Sequence, residues 1–255
     1  MASDSGHSGH SGDTATPLNL HNELIGRGKC RTQEEVKEMF RGADAVLFDV
    51  DSTVIQDEAL DLLAKFMGRY EEVSALTYEA MGGKMDFRES LTKRLNILNP
   101  NITRIEAFLE MNPPNLSFGI KPLIMRLKQR QPNCEVYLVS GGFKLLIEPI
   151  ARLLGIPPEC VYANELKFDR RGYYNGFNQD YPTSKQGGKA EVVDLLRKVH
   201  NFQSMVVIGD GITDMEACPP ADAFIGYGGA VVREKVKERA LWYVTSFQEL
   251  IDAMD

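Results

Sequence analysis

The four cysteines, Cys30, Cys134, Cys160 and Cys218, are scattered, with no Cys-x-x-Cys pair among them. That spacing supports neither a zinc site nor a disulfide framework and favours buried free thiols in a reducing, cytoplasmic compartment. Histidine is scarcer still in the body of the chain. Three of the four, His7, His10 and His21, lie in or just after a Ser/Gly/His-rich N-terminal stretch and offer no catalytic cluster. An excess of basic residues is also missing, with 29 Lys and Arg against 36 Asp and Glu and a net charge of −7. Non-specific nucleic-acid binding needs a basic field and is not expected. A small anionic substrate would need its own local cationic pocket. No apolar leader opens the sequence, and Asp4 and Asp13 precede the first arginine, Arg27. Neither a secretory signal nor a transit peptide is expected, and no membrane partner. A dinucleotide fingerprint is lacking too, because Gly226-Tyr227-Gly228-Gly229-Ala230-Val231 ends in Val where the last Gly belongs.

The 255 residues, 43% hydrophobic and 25% charged, can bury a full core and fit one domain with a substantial insert, or two small ones. Residues 1–19 show no apolar periodicity and read as a disordered arm. Thr32 and Glu35 stand at capping-box spacing ahead of a helix through Met39 and Phe40. After a short apolar strand, residues 59–118 are helical in pattern: Leu60, Leu63, Ala64 and Met67, then Leu91, Leu95 and Leu98, recur at helical spacing. Beyond Pro113-Pro114 helices and strands alternate. The pattern predicts helix 121–129, strand 135–139, helix 144–154, strand 161–162 and a hairpin around 168–174. Helix 189–199, strands 205–208 and 223–225, a helix from Val231 and a last strand 242–244 follow. Alternation of this kind means an α/β, doubly wound parallel sheet. The expected division is an arm over 1–19, an α/β core from 20–58 and 119–255, and an inserted helical cap over 59–118.

The apolar run Ala45-Val46-Leu47-Phe48 ends abruptly in Asp49-Val50-Asp51-Ser52-Thr53. In open parallel sheets the ligand crevice lies beyond the carboxyl ends of the strands. Two carboxylates at i, i+2 on a strand point the same way and repel unless a cation or a proton intervenes. One can attack phosphorus while the other gives a proton to the leaving oxygen and later takes one from water. Asp49 is the candidate nucleophile and Asp51 the candidate acid/base, although an acidic turn is the plainer reading of these residues alone. The strand Val136–Val139 runs into Ser140-Gly141-Gly142, where a hydroxyl and unhindered amides suit phosphate oxygens, as they also suit an ordinary loop. Lys189, after Gly187-Gly188, opposes the dipole of the helix it opens; a bound anion would offset it, and an exposed lysine is the plainer alternative. Gly209-Asp210-Gly211-Ile212-Thr213-Asp214 is a further acidic strand end or turn. Magnesium takes few carboxylates, octahedral oxygens and waters, and Asp49, Asp210 and the Asp51 backbone carbonyl could supply them.

These four segments occur in the order and spacing of the haloacid dehalogenase superfamily motifs, and within that superfamily the chain resembles the phosphoserine phosphatases. The resemblance runs from about Phe40 to Asp255 and includes Ala80-Met81-Gly82-Gly83, Leu138–Phe143 and Asp214–Asp222. It implies Asp49 as nucleophile and Asp51 as acid/base, with Ser140, Gly141 and Lys189 holding the phosphoryl group. Asp210 falls on the magnesium ligand, and Thr213 and Asp214 support the site. Glu58 is implied for the substrate ammonium and Arg94 for its carboxylate, with Met81, Gly82 and Phe87 lining the cap. The implied reaction is Mg2+-dependent hydrolysis of O-phospho-L-serine, a small-molecule partner, at the last step of serine biosynthesis; a homodimer is compatible with it.

An arginine grips a carboxylate with two parallel hydrogen bonds, although Thr92-Lys93-Arg94 on a helix reads locally as a solvated face. A receiver-type signalling domain also phosphorylates an Asp on a doubly wound sheet, but it has no acid/base two residues on and is about half this length. A related phosphatase or phosphotransferase acting on another small phosphate ester is the remaining alternative.

Overall fold

The computed structural model describes residues 32–81 and 86–255. The expected arm, Cys30, the three early histidines and Gly82 lie outside the described residues, as does the Met81 side chain. Helix α1 (Gln33–Gly42) starts at the expected capping box: the Thr32 hydroxyl accepts from the Glu35 amide and the Glu35 carboxylate accepts from the Thr32 amide. It buries Val36 and Phe40, and the Phe40 ring meets Trp242 edge-on at 5.8 Å.

Strand β1 (Ala45–Phe48) is buried at every position, as a central parallel strand covered on both faces must be. It lies between β2 (Glu135–Phe143) and β6 (Met205–Gly209), parallel to both, with Phe48 opposite Leu138 and Ile208. Strand β3 (Val161–Asn164) extends the sheet beyond β2, while β7 (Ala223–Tyr227) and β8 (Trp242–Val244) extend it beyond β6. The order β3-β2-β1-β6-β7-β8, parallel throughout, reverses direction at β1. A crevice therefore opens beyond the carboxyl ends of β1 and β6, where such sheets bind ligands. Helices α6 (Ile120–Gln129), α7 (Lys144–Leu153) and α8 (Gly188–His200) make the crossovers, with short helices α9 (Ile212–Met215), α10 (Glu234–Arg239) and α11 (Phe247–Asp252) after them.

Between β1 and α6 the chain forms helices α2 (Ala59–Phe66), α3 (Tyr70–Met81), α4 (Phe87–Leu98) and α5 (Ile102–Met111), with no strand among the described residues there. Asp86 and Asn101 cap α4 and α5 by accepting from the Arg88 and Thr103 amides, and Asn99 ends α4 in the left-handed region at φ 39°. Leu63, Leu91, Leu95, Ile105 and Phe108 pack with Phe143, Leu146, Leu166 and Phe177, so these helices share an apolar cluster with the end of β2, α7 and a hairpin. That hairpin, β4 (Leu166–Phe168) with β5 (Tyr174–Phe177), is antiparallel and docks on the helices through Ile102 N to Gly172 O and Tyr174 N to Pro100 O. The chain leaves the sheet and returns side by side: Gln56 N donates to Asn115 O and Ser117 N to Val54 O. No helix among the described residues is long and apolar enough to cross a membrane.

The helices Ile212–Met215 and Phe247–Asp252 are not in the sequence pattern, strands β3 and β7 each run two residues further than it places them, and two differences bear on the crevice. Strand β2 continues through Ser140-Gly141-Gly142 to Phe143 instead of stopping at Val139, because Phe143 pairs with Asn164 after a shift in register. Helix α10 begins at Glu234, not Val231, because Arg233 is extended (φ −102°, ψ 105°) and its side chain is drawn back to acidic partners on other elements.

Candidate active site

Strand β1 ends at Phe48, so Asp49 and Asp51 are not two positions of one pleat. Asp49 is still extended, and its amide continues the ladder by donating to Ile208 O at 2.9 Å. The chain then turns tightly, with Ser52 left-handed at φ 55°, uncommon for a residue with a Cβ. The turn, not the strand, brings Asp51 over the crevice. There Asp51 Oδ1 accepts from the Ala59 amide at the start of α2 (2.8 Å), and Oδ2 accepts from the Ser140 hydroxyl (3.4 Å). The same hydroxyl oxygen takes the Gly142 amide at 2.9 Å.

Lys189 Nζ lies 2.6 Å from Asp49 Oδ1 and 2.6 Å from Asp214 Oδ1, with side chains 12%, 11% and 1% exposed, respectively. Burial disfavours the ammonium, but Asp214 and Asp49 outweigh it and hold Lys189 above its ordinary value. Asp214 Oδ2 takes the Gly211 amide at 3.0 Å, so both its oxygens are committed. Gly209 permits this approach: a Cβ there would overlap the Asp214 carboxylate. Burial, then Glu58 and Asp49, push Asp51 up to about 8, and burial with Asp49 pushes Asp214 up to about 7. Burial and its acidic neighbours thus favour the protonated form of Asp51.

Asp210, at the end of β6, faces Asp49 across the crevice; Asp49, Asp210 and Asp214 present oxygens within 4.8 Å of one another. Burial and Asp49 raise the Asp210 carboxyl. Arg233 Nε pairs with Asp210 Oδ2 at 2.5 Å, and its NH2 reaches Glu58 Oε1 at 3.3 Å. Glu58 also accepts from the Ser52 hydroxyl at 2.8 Å, and Thr53 donates to Asp210 Oδ1 at 3.4 Å.

From the inserted helices, the Phe87 ring lies against Gly141, its Cζ 2.9 Å from where a Cβ would stand. Arg94 donates to Ser90 O (3.4 Å) and to the Thr77 hydroxyl (3.5 Å), and it touches none of the strand-end carboxylates directly. Burial lowers Arg94, while Asp61, Glu58 and Asp51 pull the other way, so its charge is felt at the crevice. Thr213 is exposed beside Gly211. The structure thus gathers Asp49, Asp51, Glu58, Ser140, Lys189, Asp210 and Asp214, with Gly141 and Phe87 at the rim and Arg94 one layer out.

The family model of haloacid dehalogenase-like hydrolases matches residues 46–218, which span the crevice from β1 to α9. A phosphoserine phosphatase of Bos taurus is 48% identical over 224 residues, 88% of this chain and 99% of that one. The chain is a haloacid dehalogenase-like hydrolase of the phosphoserine phosphatase family. A solved phospho-aspartyl intermediate analogue of a phosphoserine phosphatase shares its fold with a TM-score of 0.70 at 27% identity, covering 84% of this chain and 99% of that one. The DsGPDH of Dunaliella salina superposes with a TM-score of 0.75 at 35% identity over 88% of this chain, which spans only 38% of that longer protein.

Within this family member, sequence reasoning passed over Arg233, Ser52 and Asn164. Arg233 carried the signal that drew notice to Lys189, a cation at the start of a helix where the dipole disfavours it. The buried Asn164, which donates to Gly141 O at 2.8 Å, had no such mark.

Proposed function

We propose that the protein is a cytoplasmic, magnesium-dependent phosphatase that hydrolyses O-phospho-L-serine to L-serine and phosphate through an aspartyl-phosphate on Asp49, the final step of serine synthesis. The observation that carries this reading is the pairing of Asp49 with Lys189 beside a buried Asp51 bonded to Ser140 and to the Ala59 amide. A hard divalent cation suits Asp49 and Asp210, which face each other as oxygen donors and where it would take the place that the Arg233 guanidinium holds on Asp210, while Asp214 stays bonded to Lys189 and the Gly211 amide. Asp49, Asp210 and the Asp51 backbone carbonyl would hold the magnesium, which when bound offsets the charge of the carboxylates and the phosphate.

Lys189, the Ser140 hydroxyl and the Gly141 backbone hold the phosphoryl oxygens. A carboxylate oxygen of Asp49 forms a bond to phosphorus as the serine oxygen leaves, and Asp51 gives that oxygen its proton. The Asp51 carboxylate then takes a proton from water, whose oxygen attacks phosphorus and releases phosphate and free Asp49. Residues 59–118 act as a cap over the core of residues 20–58 and 119–255. Glu58 meets the substrate ammonium and Arg94 its carboxylate as the cap closes, with Phe87 lining it and Thr213 supporting the phosphate side. The test is phosphate release from O-phospho-L-serine and from a panel of small phosphate esters, with and without magnesium, alongside hydroxylamine trapping of an acyl phosphate. Phosphoserine should stand out, and only with the metal. A protein that turns over other esters and leaves phosphoserine untouched overturns the reading.

A further inference from the structure

Arg88, the second residue of α4, reaches across to the loop between β5 and α8. Its Nε donates to Ser184 O (3.3 Å), and NH2 donates to Gln179 O (3.1 Å) and to Ser184 Oγ (2.9 Å). A guanidinium is planar with its N–H directions fixed, so two carbonyls and a hydroxyl are met together in one relative placement of α4 and the loop. Helix α4 also carries Phe87 and Arg94, so that placement decides where both point.

The loop is tied in turn to the phosphate side of the crevice. Thr183 Oγ1 donates to Asn164 Oδ1 (2.9 Å), while Asn164 Nδ2 donates to Thr183 O (3.2 Å) and to Gly141 O (2.8 Å). Ser184 and Asn164 are fully buried, and Thr183 nearly so. At the other end, Gly188 packs so closely on Pro182 that a Cβ would overlap the proline carbonyl, which fixes the loop to the turn that bears Lys189.

We propose that Arg88 is a positioning residue for the reaction. It registers the docking of α4 on the β5–α8 loop and, through Thr183 and Asn164, couples that docking to the Gly141 backbone and to Lys189. The groups that read the amino acid and the groups that hold the phosphoryl are then aligned in one step. The inference rests on the proposed reading of Gly141 and Lys189 as the phosphoryl-holding site.

The experiment uses full-length, magnesium-loaded protein with Arg88→Gln and Arg88→Lys. Steady-state kinetics are run on phosphoserine and on p-nitrophenyl phosphate, which has neither ammonium nor carboxylate, and amide hydrogen exchange is followed in residues 86–98 and 179–184. Arg88→Gln should lower kcat/KM for phosphoserine about 10- to 100-fold, with kcat falling as well as KM rising, because misplacement of about an ångström costs on this scale. The loss on p-nitrophenyl phosphate should be several-fold smaller. Exchange should quicken in both segments, and Arg88→Lys, which keeps the charge and one donor direction, should recover part of the loss. Unchanged kinetics in Arg88→Gln, or equal losses on both esters with unchanged exchange, overturn the proposal. Where Arg88→Gln does not fold, the lysine variant carries the same comparison against wild type. Wild-type protein inert toward phosphoserine would sink the functional reading instead, while the exchange measurement still reads the contact.

Discussion

At the strand ends Asp49, Ser140 and Asp210 stand on backbone laced into a six-stranded sheet, and Asp49 continues the ladder through Ile208 O. On the inserted helices Phe87 and Arg94 stand on α4, which packs on a satellite cluster separate from the main core, and among the described residues Arg94 bonds to neighbours on α3 and α4. On the proposed mechanism, the groups that meet the phosphorus within a fraction of an ångström sit on the rigid part. On the same mechanism Phe87 and Arg94, which meet the amino acid from the inserted side, sit where a shift of one helix moves them together. Chemistry and selectivity should therefore fail separately when each region is altered.

The largest effect belongs to the strand ends. Asp49→Asn should lose turnover on every ester by about 10³-fold or more while keeping its melting temperature near wild type; measurable single-turnover cleavage at wild-type rates would remove the nucleophile. Next come the selectors. Arg94→Ala and Glu58→Gln should each cost about 10- to 200-fold in kcat/KM on phosphoserine, for a charge-assisted bond worth about 1.5–3 kcal/mol. Arg94→Ala should barely change phosphoethanolamine, which lacks the carboxylate, and Glu58→Gln should barely change 3-phospholactate, which lacks the ammonium. Equal losses on phosphoserine and its truncated relatives would erase the division between the two regions.

Gly209→Ala tests how rigid the sheet end is. The added methyl meets the Asp214 carboxylate, so the variant should lose about 1–3 kcal/mol of stability in denaturant and loosen Lys189. Undiminished stability would mean that the strand end yields as easily as the helices. The smallest effect is that of pH on the metal-free protein. Asp51 and Asp214 are raised in the folded state to about 8 and about 7. A raised carboxyl binds its proton more tightly folded than unfolded. That stabilisation is full below the unfolded value near 4 and fades as pH rises through the folded values. The melting temperature should therefore fall from about pH 4 to about pH 8 and level off above it, and Asp51→Asn should flatten the fall.

The apolar runs of β1 and β6 and the helical spacing of residues 59–118 were legible because each is a local pattern with one burial solution. The extension of β2 was not, since Ser140-Gly141-Gly142 has weak strand preference and pairs only because Phe143 finds Asn164 on β3. The start of α10 was misplaced for a similar reason: the local pattern around Val231 favours a helix, and Arg233 is held out of it by Asp210 and Glu58, residues far off in sequence. Likewise the chain after Asp51 turns through the left-handed Ser52 and returns with the Ala59 amide on the Asp51 carboxylate, a backbone choice that no side-chain alternation announces.

Because Val54 and Gln56 meet Ser117 and Asn115 as paired backbone, everything between them joins the sheet as a closed loop with its mouth already shut. The entropy of closing such a loop grows only as the logarithm of its length. To the sheet, about sixty residues of helix therefore cost little more than a short turn would. An insert of another length would close the chain at nearly the same cost, and what it would have to rebuild is the apolar cluster shared with Phe143, Leu146, Leu166 and Phe177.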